Sequence, residues 1–199
     1  MTQNPDIHCL GLADKAVLVV GASSGIGEAT ARLFATLGSR VCLVARRSER
    51  LKSIAASIRA DGGQCETITL DVTNESAAEI SFDRTKEFFG VVDILVMSAG
   101  TGLLMPATKT DSDSVRNLLE LNAVAVFRFC RAAGSKLSRG GSIVLMSSPA
   151  GIGGAPGLSA YALSKGGLCP LARSLAGEFA GRLIRVNVVV PGYVRTEMT

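Results

Sequence analysis

Tyr161 and Lys165 stand four residues apart in the segment YALSK, within a stretch of helical character. Positions i and i+4 of a helix share one face. A phenol with its ordinary pKa of about 10 is a poor proton donor or acceptor at neutral pH, but a neighbouring ammonium favours the phenolate and lowers that value. The pair therefore has the chemistry of a general acid and base, able to protonate a carbonyl oxygen or to deprotonate an alcohol. The plainer alternative is two polar side chains on a solvated helix face. Ser148 lies in MSSPAG, at the end of a β-branched run. Its hydroxyl is of the right type to orient and polarise the same substrate oxygen.

A second constellation occupies residues 19–27, VVGASSGIG. It follows a strand-like run and opens a helix-like one, the context that a dinucleotide-binding loop requires. Gly21 permits a tight turn, while Gly25 and Gly27 remove side chains where phosphate and strand must come close. The helix start supplies free N–H groups and the positive end of its dipole to a pyrophosphate. The candidate contacts are Gly21, Ser23, Ser24, Gly25, Ile26 and Gly27. A glycine-rich turn without a ligand is the alternative. The next strand-like run ends at Ala45 and is followed by Arg46 and Arg47. An acid at such a strand end accepts hydrogen bonds from a ribose 2′-OH. Ala45 offers none, and guanidinium groups pair well with phosphate, so Arg46 suits a 2′-phosphate. A solvated basic helix start is the competing reading. Asp71, with Val72 beside it, is placed either to accept from an adenine amino group or simply to cap the next helix.

These residues need a scaffold. Six β-branched runs recur: 15–20, 40–45, 64–70, 92–97, 141–147 and 184–190. Their near-continuous apolar character fits parallel strands covered on both faces. Between the first two, Ile26, Ala29, Leu33, Phe34 and Leu37 form an apolar stripe at helical spacing, with Gly38 as a stop. Alternating strands and helices predict an α/β fold, a doubly wound parallel sheet of about six strands with helices on both faces. No linker or solenoid repeat interrupts the 199 residues, so a single domain over 1–199 is expected.

Composition narrows the function. Hydrophobic residues make up 47% and charged residues 19%, which suits a packed globular core and excludes disorder. The net charge of +4 is mild and its lysines and arginines are scattered, so no nucleic-acid surface is expected. Five cysteines (9, 42, 65, 130 and 169) are widely spaced and accompanied by one histidine, His8. Free thiols and no metal site are expected. The start, MTQNPDIHCL, lacks the pattern of a signal peptide, and no apolar run suits a membrane span. A cytoplasmic protein without membrane or nucleic-acid partners is the expectation.

Taken together, GASSGIG, the Ser148…Tyr161…Lys165 spacing, DVT (71–73), SAG (98–100), Asn122, IRVNVVVPG (184–192) and PGYVRTEM (191–198) resemble the short-chain dehydrogenase/reductase family, in particular its 3-oxoacyl-[acyl-carrier-protein] reductase branch. The resemblance runs from about residue 12 to the end. It implies a Rossmann-type fold and hydride transfer between a nicotinamide and a small-molecule carbonyl or alcohol. Tyr161 would be the acid/base, Lys165 its partner and a ribose contact, Ser148 the holder of the substrate oxygen, and Asn122 the support of a proton-relay water. Ala99, Gly100, Pro191, Gly192, Val194 and Thr196 would join the cofactor contacts, the last two at the carboxamide. NADP(H) is expected over NAD(H), and a homo-oligomer is expected, a dimer rather than a tetramer.

The sequence departs from the family pattern at Val20, usually Thr, and at Met97 and Ser98, usually two asparagines; a more apolar interior follows. Pro170 removes the N–H that would bond the carbonyl of Gly166, so a kink is expected one turn beyond Lys165. The chain stops at Thr199, before the family's seventh strand and lid helix. A C-terminally truncated domain is therefore expected, and with it an alternative function: a non-catalytic NADP(H)-binding module or sensor.

Overall fold

The computed structural model describes residues 11–197. The N-terminal stretch read for a signal peptide, with His8 and Cys9, and the end of the last motif, Met198 and Thr199, lie outside the described residues. The elements run β1 (Ala16–Val20), α1 (Gly25–Thr36), β2 (Arg40–Ala45), α2 (Ser48–Ala60), β3 (Gln64–Thr69), α3 (Ala77–Phe89), β4 (Ile94–Met97), α4 (Ser112–Leu119), a π turn (Glu120–Val124), α5 (Ala125–Lys136), β5 (Ser142–Met146), α6 (Ala150–Gly153), α7 (Ser159–Gly166), α8 (Leu168–Glu178) and β6 (Arg185–Val189). All six expected strands form. They pair in parallel in the order β3-β2-β1-β4-β5-β6. The order reverses between β1 and β4, and this switch point opens a crevice at the carboxyl edge of the sheet. β4 begins later than its apolar run because Asp93 is used as an anchor: its carboxylate accepts from Ala16 N (2.9 Å) and from Ser138 Oγ (2.6 Å).

Alternate residues of each strand feed two cores. Leu18, Val20, Cys42, Val44, Leu95 and Met97 face one side, beneath Phe82 of α3, Phe129 of α5 and Leu168 of α8. Val17, Val19, Val41, Leu43 and Val96 face the other, beneath Ala31 of α1 and Leu51, Ile54 and Ile58 of α2. Burying each large side chain stabilises the fold by about 1.5–3 kcal/mol. Val20 and Met97 are register partners, both essentially without exposure, so the departures from the family pattern leave that interior apolar. The cysteines within the described residues, Cys42, Cys65, Cys130 and Cys169, are free. Burial pushes the first three thiols up to about 12. Among the described residues no helix is long and apolar enough to cross a membrane.

The apolar stripe expected on α1 is rotated in the structure. Ala29 is exposed and Leu33 is 57% exposed, while Gly27 and Ala31 are buried and Phe34 and Ala35 pack against the core. The phase is set by backbone contact, not by side-chain hydrophobicity. A Cβ on Gly27 would stand 2.2 Å from the Gly21 carbonyl oxygen, and Gly21 itself, at φ +86°, leaves no room beside Ala99 N (2.4 Å). The helix must therefore turn its glycine edge to the strand. The expected kink after Lys165 is a one-residue interruption at Gly167 (φ −76°, ψ −14°) between α7 and α8, and Pro170 falls in the first turn of α8, where a missing N–H costs nothing.

The two close glycines define a stability test. Gly27→Ala must force the loop apart and is expected to destabilise the fold by at least about 2 kcal/mol. Gly62→Ala, at φ +85° but with no atom within 4 Å of the new Cβ, should cost only about 1 kcal/mol. Urea unfolding midpoints check the pair; equal losses would mean that crowding at Gly27 is relieved elsewhere.

Candidate active site

Gly21, Arg46, Asp71, Ala99, Ser148 and Pro191 each follow the carboxyl end of a strand, from β1 through β6, while Asn122 lies between α4 and α5 and Tyr161 and Lys165 lie on α7. The glycine loop is tied to β2, where the N–H groups of Gly21 and Ala22 donate to Val44 O (2.8 and 3.2 Å). Ser23 is buried, Ser24 and Ile26 are half-buried, and both serine hydroxyls accept from Arg47: Nε to Ser23 Oγ at 3.1 Å and a terminal nitrogen to Ser24 Oγ at 2.6 Å. Arg46 is largely exposed and reaches the Asp71 carboxylate at 3.5 Å. Asp71 accepts from Thr73 N (3.0 Å) and Thr73 Oγ1 (2.7 Å), and these bonds hold its carboxyl below the usual carboxylate range. It closes a local turn beside buried Val72, and it does not cap α3, which begins at Ala77. After β6, the segment with Pro191, Gly192, Val194 and Thr196 crosses back to the loop, where a Cβ on Gly25 would stand 3.1 Å from the Thr196 methyl. Glu197 follows, accepting from Arg47 at 2.7 Å and Arg50 at 3.5 Å.

Beyond the switch point a buried polar network joins three elements. Asn122 lies in the π turn between α4 and α5, fully buried. The extra residue of a π turn re-aims side chains locally, which is why such turns recur at functional sites. Asn122 Oδ1 accepts from Thr101 N (3.0 Å), and its Nδ2 donates to Thr101 O (2.8 Å) and Ser164 Oγ (2.9 Å). Ser164 in turn donates to the Tyr161 carbonyl (2.8 Å). Lys165, 5% exposed, donates from Nζ to Met146 O at 2.8 Å, and burial lowers its pKa to about 8. Gly100, next to half-buried Ala99, makes room for both: a Cβ there would stand 3.0 Å from Asn122 Oδ1 and 3.2 Å from Lys165 Nζ. The short α6 leans on the same lysine, because a Cβ on Gly151 would meet the Lys165 backbone at 2.8 Å. Ser148 Oγ accepts from Ala150 N at 3.2 Å just past β5, and Tyr161 is half-buried on α7.

Arg46 and Lys165 thus lie at opposite ends of a crevice spanning β2, β1, β4 and β5, three strand gaps or about 14 Å. Four participants were not legible as site residues: Thr101, Ser164, Arg50 and Glu197. Ser164 carried a signal as a small polar residue inside YALSK, three positions beyond Tyr161, and Glu197 lay inside PGYVRTEM. Thr101 and Arg50 are brought in by contacts distant in sequence.

A model of the short chain dehydrogenase family matches residues 15–199. The chain is 38% identical over 187 residues to 3-oxoacyl-[acyl-carrier-protein] reductase of Mus musculus, covering 94% of this chain and 78% of the mouse protein. Among solved structures, a dehydrogenase/reductase from Sinorhizobium meliloti 1021 superposes with a TM-score of 0.92 at 34% identity, over 97% of this chain and 77% of the other. A short chain dehydrogenase from Burkholderia cenocepacia J2315 in complex with NADP superposes with a TM-score of 0.91 at 35% identity, over 94% and 78%.

The buried ammonium predicts a pH dependence. Its folded pKa, about 8, lies below the unfolded value of about 10.4. The unfolded chain therefore holds the extra proton between these values, and stability rises with pH there. The penalty is complete below pH 8 and is relieved as pH rises toward 10. Because Cys42, Cys65 and Cys130 pull the opposite way above pH 9, the readout is the difference between wild type and Lys165→Met. From pH 7 to 10 that difference should move in favour of wild type by about 2 kcal/mol; a flat difference in urea unfolding would show a solvated lysine.

Proposed function

The chain belongs to the short-chain dehydrogenase family of oxidoreductases, and on that premise we propose that it is an NADP(H)-dependent ketoreductase or alcohol dehydrogenase acting on a small molecule. The residues fit a dinucleotide: a loop in which Gly21, Gly25 and Gly27 carry no side chain, arginines at the end of β2, and a hollow at Gly100 between Asn122 and Lys165. Bound nicotinamide would supply the hydride to a carbonyl carbon, or accept it from an alcohol. Tyr161 gives the proton to the resulting oxygen, and Ser148 donates a hydrogen bond to that same oxygen. Lys165 would stabilise the negative charge left on the phenol oxygen and would help hold the nicotinamide ribose. Asn122 holds α7 through Ser164 and supports the path by which Tyr161 recovers its proton.

The observation that carries this reading is Lys165. An ammonium is buried, bonded to the Met146 carbonyl, at the point where β4, the π turn and α7 meet, one helical turn from Tyr161. A cation is costly to bury, and nothing in the packing of the core requires one there. NADP(H) is favoured by the lack of an acid at Ala45 and by the guanidinium groups that follow it. The 3-oxoacyl reductase relatives make a 3-oxoacyl thioester the first substrate to try. We further propose a cytoplasmic homodimer, to which the exposed Val124 and Phe127 beside and on α5 would contribute apolar surface.

Tyr161→Phe keeps the ring and removes the proton donor. It is expected to lower turnover of a ketone panel at least about a hundredfold while NADPH binding, followed by its fluorescence, is unchanged. Retention of a tenth of the wild-type rate would place the proton elsewhere. A wild-type chain that binds NADPH and reduces no member of the panel would instead be a binding module.

Arg46→Ala should weaken NADPH by about 1.5–3 kcal/mol, the scale of a hydrogen bond to a charged group, and leave NADH nearly unchanged. Equal losses for both cofactors would overturn the assignment of the 2′-phosphate to this strand end.

A further inference from the structure

On the reading of an NADP(H) site given above, we propose that Glu197 sets the preference between NADPH and NADH by holding, as a built-in anion, the guanidinium edge that a 2′-phosphate would take. Three arginines stand at the end of β2 and the head of α2, and each meets a carboxylate: Arg46 meets Asp71 (3.5 Å), Arg47 meets Glu197 (2.7 Å), and Arg50 meets Glu28 (3.6 Å) and Glu197 (3.5 Å). With Arg32, which also holds Glu28 (2.9 Å), four cations face three carboxylates, and every one of these cations already has a carboxylate partner. A phosphate that takes the outer edge of Arg47 must therefore displace Glu197 from it.

Arg47 shows where the exchange happens. Two of its nitrogens are committed to the Ser23 and Ser24 hydroxyls, which fix the guanidinium plane over the glycine loop. Its third nitrogen carries Glu197. Asp71 is locked by Thr73, and Glu28 is bonded by Arg32 at 2.9 Å within α1. Glu197 alone of the three carboxylates comes from the segment that follows β6, and both of its hydrogen bonds from arginine reach across the crevice from α2 and its N-cap. Arg47 holds the Glu197 carboxyl below the usual carboxylate range, so it is charged at neutral pH. The pair is about half exposed on both sides, so it is weak enough for a ligand phosphate to displace.

The same carboxylate fastens the segment to the loop, since the preceding Thr196 lies against Gly25. A 2′-phosphate that takes Arg47 therefore releases Glu197 from the loop. A cofactor without that phosphate leaves the pair intact. Glu197 is thus a specificity-determining residue that lowers the advantage of NADPH over NADH.

Fluorescence titration of wild type and Glu197→Gln with NADPH and with NADH tests this. Glu197→Gln keeps the shape and removes the charge. NADPH should bind roughly two- to fivefold more tightly, the scale of an exposed ion pair, with NADH unchanged. In an Arg47→Met background the same substitution should have a smaller effect on NADPH, since only the longer Arg50 contact to Glu197 remains, and none on NADH. Unchanged NADPH affinity, or equal shifts for NADPH and NADH, would overturn the proposal while leaving the NADP(H) site standing. If neither protein binds either nucleotide, the cofactor reading fails and the proposal falls with it.

Discussion

The structure depends on one place where backbone meets backbone without side chains between. Gly21 lies against the Ser98–Ala99 peptide at the end of β4, and Gly27 lies against Gly21. These contacts fix the exit of β1, the angle at which α1 leaves the sheet and the rotation of that helix about its axis. They also bring the first turn of α1 over the switch point between β1 and β4. Side-chain burial stabilises the sheet as a whole, but it has no preference about which helical face meets which strand to this accuracy. Leu33 on the outer face of α1 is the visible consequence. A large apolar residue is left exposed because the glycine edge has to face inward.

The far side of the crevice is built in the opposite way, from polar groups inside an apolar shell. Val20 and Met97 keep the strand ends dry. Within that dry surround Asn122 satisfies three partners, and Lys165 is held by a carbonyl rather than by a carboxylate. A carboxylate partner would stabilise the ammonium and raise its pKa; a carbonyl leaves burial dominant, and the pKa falls to about 8. A lysine in that state is a buried, adjustable charge on the helix that also carries Tyr161, one turn away in sequence. The π turn serves the same end, because it places an amide side chain where a regular α4–α5 helix would place it a fraction of a turn away.

Charge at the other end of the crevice is held in exposed ion pairs. The arginines after β2 are individually weak as ion-pair partners, and on the proposed reading they mark where a phosphate would lie. Glu28, Asp71 and Glu197 are their carboxylate partners. The two ends therefore work on different physical terms: one on a buried cation with a fixed environment, the other on solvent-exposed pairs that can be traded.

By itself the sequence determined the alternation of strands and helices, because β-branched runs and helical periodicity are local signals. All six strands follow from it, as does the glycine loop, and the kink read from Pro170 corresponds to the interruption at Gly167 between α7 and α8. It also offered candidates for the chemistry, since Tyr161, Lys165 and Ser148 stand out by type and spacing. What it left open belongs to the tertiary structure. The face of α1 was misread from hydrophobicity because the deciding contact is between glycines, which carry no hydrophobic signal. Asp71 was left between two roles, and its bond to Thr73 is a local turn that only coordinates reveal. Thr101 and Arg50 gave no local sign, and PGYVRTEM did not point Glu197 to its partner, since each acquires that partner across a long stretch of chain: Glu197 meets Arg47 only because the segment that follows β6, three strand gaps from β1, returns over the glycine loop. Local patterns fix elements and candidate chemistry; the contacts between elements fix which of those groups meet, how deeply they are buried and therefore what charge they carry.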